Sequence, residues 1–143
     1  MFKFRLASIM RLREHMEKQC REEVGKCLQS LQVAELTEAR LVKKEQEIIE
    51  DLICRQKGII KVTPLLLGKD YLKFTNAQLQ EQREVVKAKN EELNKARNNL
   101  IEAMKEKKVL EKLREKQYQD YLYDENKIEQ ALFDDMTDKE GLT

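Results

Sequence analysis

The sequence predicts an all-α protein that folds as a long antiparallel two-helix coiled coil, an α-hairpin. This prediction rests on a heptad repeat, a highly charged composition and one interruption of the pattern. Apolar residues recur every seventh position from Leu72 to Leu100, and the register continues through Leu113. Charged residues make up 38% of the chain and aromatic residues 6%. Such a chain is too polar for a compact globule and too periodic for a disordered protein, so its burial should be one stripe wide.

The first predicted helix extends over about residues 4–56, because its apolar residues step by alternating threes and fours, as in coiled coils. Glu38 and Glu45 lie on the same stripe, so we expect its middle to pack loosely. Gly25 is a further weak point, since glycine costs about 1 kcal/mol relative to alanine inside a helix.

One interruption separates the two helices. Gly58 and Pro64 fall within GIIKVTPLLLG, which holds the only proline and two of the four glycines. Gly58 suits a helix C-terminal cap, and Thr63 suits an N-cap followed by proline at the first helical position. We therefore expect a turn over about residues 57–63. A β-strand over residues 59–62 is the alternative.

The second predicted helix extends over about residues 64–135 and is followed by a tail, about residues 136–143, that should fray. We interpret the whole chain, residues 1–143, as a single coiled-coil hairpin. The apolar residues near the turn should close this end of the hairpin as a small plug: Ile59, Ile60, Val62, Leu65, Leu66 and Leu67.

A short turn makes the two helices antiparallel neighbours, with facing positions whose numbers sum to about 124. The two apolar stripes then meet, which supports the hairpin. The expected facing pairs are Leu52 with Leu72, Leu31 with Leu93, and Val24 with Leu100.

Composition and motifs exclude several function classes. The net charge of +1 argues against nucleic acid as the ligand. No apolar run is long enough for a transmembrane helix, and the N-terminus lacks the features of a signal peptide, so we expect a cytoplasmic protein. No nucleotide-binding, metalloprotease or nucleophile motif occurs, and a two-helix hairpin has no interior for a substrate. We therefore expect no enzyme, no catalytic residues and no cofactor.

The three cysteines, Cys20, Cys27 and Cys54, do not suggest a redox or metal site. Cys20 and Cys27 lie about 10.5 Å apart along the helix axis, which is too far for a disulfide within one helix. The only histidine is His15. We interpret Cys20 and Cys27 as small apolar residues of the stripe and expect no metal site.

Phe74 lies shortly after the turn and is a candidate for binding a partner. Heptad numbering places it on the side that points away from the first helix. An exposed phenylalanine on a thin coiled coil suits a protein contact. The alternative is that Phe74 folds back over the turn onto Leu66 or Leu67.

The terminal end of the hairpin is a second candidate surface. Pairing of the helices there gathers a basic tip from Lys3, Arg5, Arg11, Arg13, Lys112, Arg114 and Lys116. Such a tip would suit an acidic pore. The alternative is a solvated end on which aromatic residues cap the stripe, namely Phe2, Phe4, Tyr118, Tyr121 and Tyr123. Beyond the tip, an acidic overhang carries Ile128, Leu132 and Phe133, an apolar patch that needs a partner or a second copy.

Four segments carry a resemblance to a known family. They are the opening FKFRLASIMRLRE, the YLKF after the turn, LEKLREKQ, and the late ENKIEQALFDD. In length, order and spacing the chain resembles the flagellar type III export protein FliJ family over nearly its whole length. The resemblance implies a fold similar to the central stalk of rotary ATPases.

The resemblance also implies a non-enzymatic component of the flagellar export apparatus. Its coiled coil would insert into the hexameric export ATPase and stimulate it, contact the export gate membrane protein and escort export chaperones. The protein would be monomeric alone, without bound nucleic acid and without direct membrane insertion. It would be cytoplasmic and peripherally associated with the inner face of the cell membrane at the flagellar base.

Site residues follow from the same resemblance. The family's gate contact surrounds an aromatic residue that matches Phe74, with Tyr71 beside it. A leucine expected one turn later falls at Leu79, and Gln78 occupies the expected place. If the terminal end enters the ATPase ring, the basic tip supplies the contact through Arg5, Arg11, Arg13, Lys112, Arg114 and Lys116.

The alternative function is a generic cytoplasmic coiled-coil scaffold or tether that acts by self-association. Its long helices would form a parallel dimer in place of the intramolecular hairpin. A weaker third interpretation is a nucleic-acid or acidic-membrane binder that uses the basic tip, and its binding would fall steeply as salt rises.

Overall fold

The computed structural model describes residues 1–141, with side chains described for residues 1–139. Two long helices pack against each other, α1 over Ala7–Arg55 and α2 over Val62–Gly141. The prediction of an all-α helical hairpin is confirmed. Within the described residues there is no strand, so the alternative of a strand before the second helix is wrong. Neither helix, as far as it is described, contains a stretch apolar and long enough to cross a bilayer.

Helix α2 begins at Val62, two residues earlier than expected. Pro64 therefore lies within the first turn, where backbone N–H groups have no intrahelical acceptor and a missing N–H costs nothing. Thr63 also lies inside this turn, so its expected role as the N-cap is wrong. At the other end of the loop, α1 stops at Arg55.

The C-terminal part of α2 is helical well beyond the expected end at residue 135. Neither proline nor glycine occurs between Gly68 and Gly141, so nothing in the backbone stops the helix earlier. The Thr137 hydroxyl donates to the Phe133 carbonyl at 2.9 Å. Lys139 Nζ lies 3.8 Å from Asp135 Oδ2, one turn back. The tail expected to fray is thus helical through Gly141, and residues 142 and 143 lie outside the described residues.

The chain forms two compact units. The turn unit comprises residues 20–99, and the terminal unit comprises residues 1–19 together with the described residues from Leu100 onward. The buried apolar residues of the turn unit are Leu31, Ala34, Leu52, Leu79, Leu93 and Ala96. Those of the terminal unit are Met10 and Ala103.

In the turn unit the helices are shifted by about one turn relative to the expected register. A Cβ on Gly68 would lie 2.5 Å from Leu52 Cδ2, so Leu52 packs over Gly68, one turn before the expected partner Leu72. The glycine makes this approach possible because it carries no side chain. The Gln82 amide crosses between the helices and donates to the Ala34 carbonyl at 3.0 Å.

The turn is built around Gly58, whose φ of +77° is the only positive value among the described residues. This left-handed residue lies in the turn three residues after α1 ends at Arg55, and the sequence had singled out the same glycine as the helix cap. The expected apolar plug, however, is wrong. Ile59 is 93% exposed, and Ile60, Val62, Leu66 and Leu67 are exposed as well, so that of the six expected members only Leu65 is half-buried. Because Leu52 and Gly68 already close the last inward-facing layer, these side chains remain on the outside.

The middle of the turn unit contains two buried oxygens without a hydrogen-bond partner, Thr75 Oγ1 and Glu45 Oε2, the only ones found among the described side chains. Thr75 is 0% exposed. Elsewhere the threonines Thr37 and Thr137 donate to the carbonyl one turn back. A buried hydroxyl without such a bond costs about 1–3 kcal/mol. Hydrogen bonding is therefore incomplete here, and the loose packing expected around Glu38 and Glu45 stays a prediction.

Replacing Gly25 and Gly58 by alanine should change the free energy of unfolding in opposite directions. A Cβ at Gly25 meets no heavy atom within 4 Å, so Gly25→Ala should stabilise the protein by about 1 kcal/mol. Gly58→Ala should destabilise it by about 1 kcal/mol, because its left-handed backbone disfavours a side chain. Urea unfolding followed by circular dichroism measures both. A stabilised Gly58→Ala protein would contradict the turn described above.

Thr75→Val should raise the free energy of unfolding by about 1 kcal/mol, because a methyl group replaces a buried hydroxyl that has no partner. Thr37→Val is the matched control, since Thr37 is exposed and donates to the Val33 carbonyl at 3.1 Å. The free energy of unfolding of this control should not rise. If Thr75→Val instead lowers the free energy of unfolding, the hydroxyl makes a hydrogen bond in solution and is not an unpaired group.

Candidate functional site

The residues before α1 fold onto α2 through an aromatic cluster of Phe2, Tyr118 and Tyr121. The Phe2 ring meets Tyr118 edge-on with centroids 5.1 Å apart, and it lies 5.6 Å from the Tyr121 ring. Tyr118 and Tyr121 are three residues apart, which places them on one face of the helix. The cluster anchors the N-terminal segment, as the aromatic-cap alternative proposed. Burial raises the pKa of the Tyr121 hydroxyl, and the neighbouring Glu125 adds to this effect.

Two ion pairs join the helices of the terminal unit. Arg13 pairs with Glu106. Lys107 Nζ lies 2.9 Å from the Glu17 carboxylate, whose side chain is only 7% exposed. The hydrogen bond to Glu17 raises the pKa of Lys107, although burial acts in the opposite direction. Arg13 is thus engaged within the protein, and the terminal end is less uniformly basic than its sequence indicated.

Arg11 and Arg114 are brought together by the fold. Both line one shallow cavity with Phe2, Phe4, Ala7, Met10 and Glu14. The side chain of Arg114 also borders a neighbouring cavity that includes Glu111 and Glu115. A guanidinium offers several donors in a fixed plane, which suits a carboxylate of a partner. We call these two arginines the arginine pair.

The other predicted basic residues occupy different surroundings. Arg5 lines a cleft with Lys3, Asp120 and Asp124, so acidic residues face it. Lys112 and Lys116 are exposed on α2. The predicted basic tip is therefore a mixed surface, in which Lys3 and Arg5 share a cleft with two aspartates and the arginine pair shares a cavity with Glu14. The mixed charge was not predicted because the basic residues were counted without the acidic residues that alternate with them on α2.

The overhang of α2 has the exposure that the sequence predicted. Every described side chain from residue 122 to residue 139 is exposed. Large apolar residues are among them, namely Leu122, Tyr123, Ile128, Leu132, Phe133 and Met136. The aromatic cluster therefore stops at Tyr121, and Tyr123, expected to cap the stripe, is 67% exposed.

The predicted gate residues lie in the first part of α2 and divide into exposed and buried members. Phe74 is 56% exposed and Tyr71 is exposed, whereas Gln78 is half-buried. Leu79 is 3% exposed and belongs to the core of the turn unit. We call Tyr71 and Phe74 the post-turn surface.

Lys44 adds a cation to the post-turn surface. Its Nζ lies 5.0 Å from the centroid of the Tyr71 ring, within the range of a cation–π contact. Lys44 was not predicted as part of this surface, because the expected register does not place it beside Tyr71. A register based on Leu52 over Gly68 would have brought the two closer.

The cysteines remain free thiols, half-buried at Cys20 and Cys27 and exposed at Cys54. Burial raises the pKa of Cys27, and the nearby Glu23 raises it further. A raised pKa disfavours the thiolate that redox and metal chemistry require. In the part of the chain that the structure describes, no cluster of three histidine, cysteine or acidic side chains could hold a metal ion.

Comparison with known proteins places the chain in a family. The family model described as "Flagellar FliJ protein" matches residues 2–139. No curated protein and no solved structure matches the chain. The matched range includes the aromatic cluster, the arginine pair and the post-turn surface. The chain therefore belongs to the flagellar FliJ family.

Proposed function

We propose that this protein is the stalk of the flagellar export ATPase: its terminal end enters the hexameric ring and stimulates it. Membership of the FliJ family connects it with flagellar export, where we propose that it acts as a non-enzymatic component. We further propose that it contacts the export gate membrane protein and escorts export chaperones. It works in the cytoplasm, peripherally associated with the inner face of the cell membrane at the flagellar base.

The arginine pair is the observation that supports the ATPase contact best. Phe2 holds the N-terminal segment against α2 through rings 5.1 and 5.6 Å away, and this fixes the start of α1. Arg11 then lies on the same cavity as Arg114. Two arginines that line one cavity with Glu14 on an ordered surface can bind carboxylates of a partner without first ordering the chain.

Reversing the arginine pair should abolish most of the stimulation. In the Arg11→Glu/Arg114→Glu variant we expect the stimulation of the purified export ATPase to fall by about tenfold, because acidic partners would be repelled rather than bound. Steady-state ATP hydrolysis with increasing amounts of each variant measures this effect.

The control for this experiment carries the same change of charge elsewhere. Lys95→Glu/Arg97→Glu alters two exposed residues of the turn unit and should stimulate like the wild type. Arg13 is left unchanged because it pairs with Glu106 within the protein. Equal stimulation by both double variants would remove the arginine pair from the mechanism.

The post-turn surface supports the gate contact. Phe74 presents an exposed aromatic ring beside Tyr71, whose ring in turn accepts the Lys44 ammonium. Aromatic residues often dominate the binding energy of protein interfaces, because they bury a large area with little loss of side-chain freedom. Leu79, already buried, does not present its side chain here.

Phe74→Ala should weaken binding to the cytoplasmic part of the export gate by about 2 kcal/mol, as expected for an aromatic interface residue. Isothermal titration calorimetry with the purified proteins measures this loss. Phe133→Ala is the matched control, since Phe133 is 69% exposed but lies on the overhang. If both variants bind like the wild type, the gate contact lies elsewhere.

A further inference from the structure

The turn of the hairpin exposes a group of aliphatic side chains that the proposed function leaves unused. We call this group the apex patch: Ile59, Ile60, Val62, Leu66 and Leu67, all exposed. Ile59, at 93%, is almost as exposed as in an unfolded chain. Exposure of clustered apolar side chains to water is energetically unfavourable, so such patches mark binding sites.

The apex patch is surrounded by positive charge. Between Asp51 and Asp70 the sequence contains four basic residues and no acidic one. The basic residues are Arg55, Lys57, Lys61 and Lys69. Three of them line one cleft beside the patch, Arg55, Lys57 and Lys61, together with Ile59 and Pro64. Arg55 is also paired with Asp51 at 2.9 Å, so the lysines are the cations best placed to meet an external anion.

We propose that the apex patch binds the surface of an anionic lipid bilayer. Ile59 and Ile60 would enter the boundary between headgroups and acyl chains, while Lys57 and Lys61 contact lipid phosphates. Exposed aliphatic residues next to basic ones are the combination that holds proteins at anionic membrane surfaces. This inference goes beyond the stalk function, and it replaces the expectation of no direct membrane insertion with a shallow insertion of the turn.

The chemistry of the patch favours a bilayer over the other possible occupants. No aromatic residue occurs from Leu52 to Asp70, whereas protein interfaces are enriched in aromatic anchors. A second copy would bring the same excess of positive charge against this one and would be repelled. A fluid bilayer needs no complementary shape, so a short turn with aliphatic side chains suffices.

Vesicle flotation of the full-length protein tests the proposal. We expect the wild type to float with vesicles of equimolar phosphatidylglycerol and phosphatidylcholine, but not with phosphatidylcholine alone, and to be released as salt rises. Ile59→Ser/Ile60→Ser and Lys57→Glu/Lys61→Glu should each lose about tenfold in binding, because one removes the inserted surface and the other reverses the charge.

Two controls separate the apex patch from other surfaces. Leu132→Ser/Phe133→Ser removes exposed apolar residues from the overhang, and Arg11→Glu/Arg114→Glu reverses the arginine pair. Both should float like the wild type. Wild-type protein that stays with the soluble fraction, or apex variants that float undiminished, would overturn the proposal. The apex variants should still stimulate the export ATPase, so failure of this inference is distinguishable from failure of the stalk function.

The chain lacks tryptophan, which allows a direct measurement of insertion. Ile59→Trp places a single indole at the most exposed position of the patch. Its fluorescence should shift to the blue when anionic vesicles are added, and Leu132→Trp should show no shift. If Ile59→Trp shifts only when the purified export gate is added, and not with vesicles, the patch is a protein contact and the lipid proposal is wrong.

Discussion

In each of the two units, side chains that pack between α1 and α2 provide nearly all the burial found among the described residues. The stripe relies on small residues as much as large ones, with Ala34, Ala96 and Ala103 buried alongside leucines. Because the described part of the chain forms no second layer over these helices, each polar residue between them has to be accommodated locally. Glu17 is stabilised by Lys107 at 2.9 Å, whereas Thr75 has no hydrogen-bond partner for its hydroxyl. Surfaces outside the stripe are left to bind other molecules.

The helical hairpin and its left-handed glycine could be predicted from the sequence, because heptad spacing and Gly58 act locally. The pairing of Leu52 with Gly68 could not. Apolar stripes repeat at every turn, so a shift of one turn changes the sequence pattern very little. What decides the register is the close approach of Leu52 to a residue without a side chain. The exposed Ile59 follows from this, since the last inward-facing layer is already closed.

The candidate surfaces were likewise predictable only where they depend on one helix alone, and not where they depend on contacts between helices. Counting charges along one helix predicted a basic tip, but ion pairs form between helices, and Arg13 is engaged by Glu106. The arginine pair depends on Phe2, which lies far from Tyr118 in sequence and meets it only in the folded protein. Phe74 was the simplest to predict, because its exposure depends on its helical position alone. Leu79 was placed correctly on the stripe, and its burial follows from that placement.

The unpaired hydroxyl of Thr75 has a consequence for Leu79, its neighbour one turn along α2. Opening this short segment would expose Leu79 to water, but it would also hydrate Thr75 Oγ1, a buried oxygen that the closed state leaves without a partner. The gain from hydration offsets part of the lost apolar contact. Local opening is therefore less costly around Thr75 than it would be if this hydroxyl had a partner, and it would expose Leu79 without unfolding of the rest of the molecule.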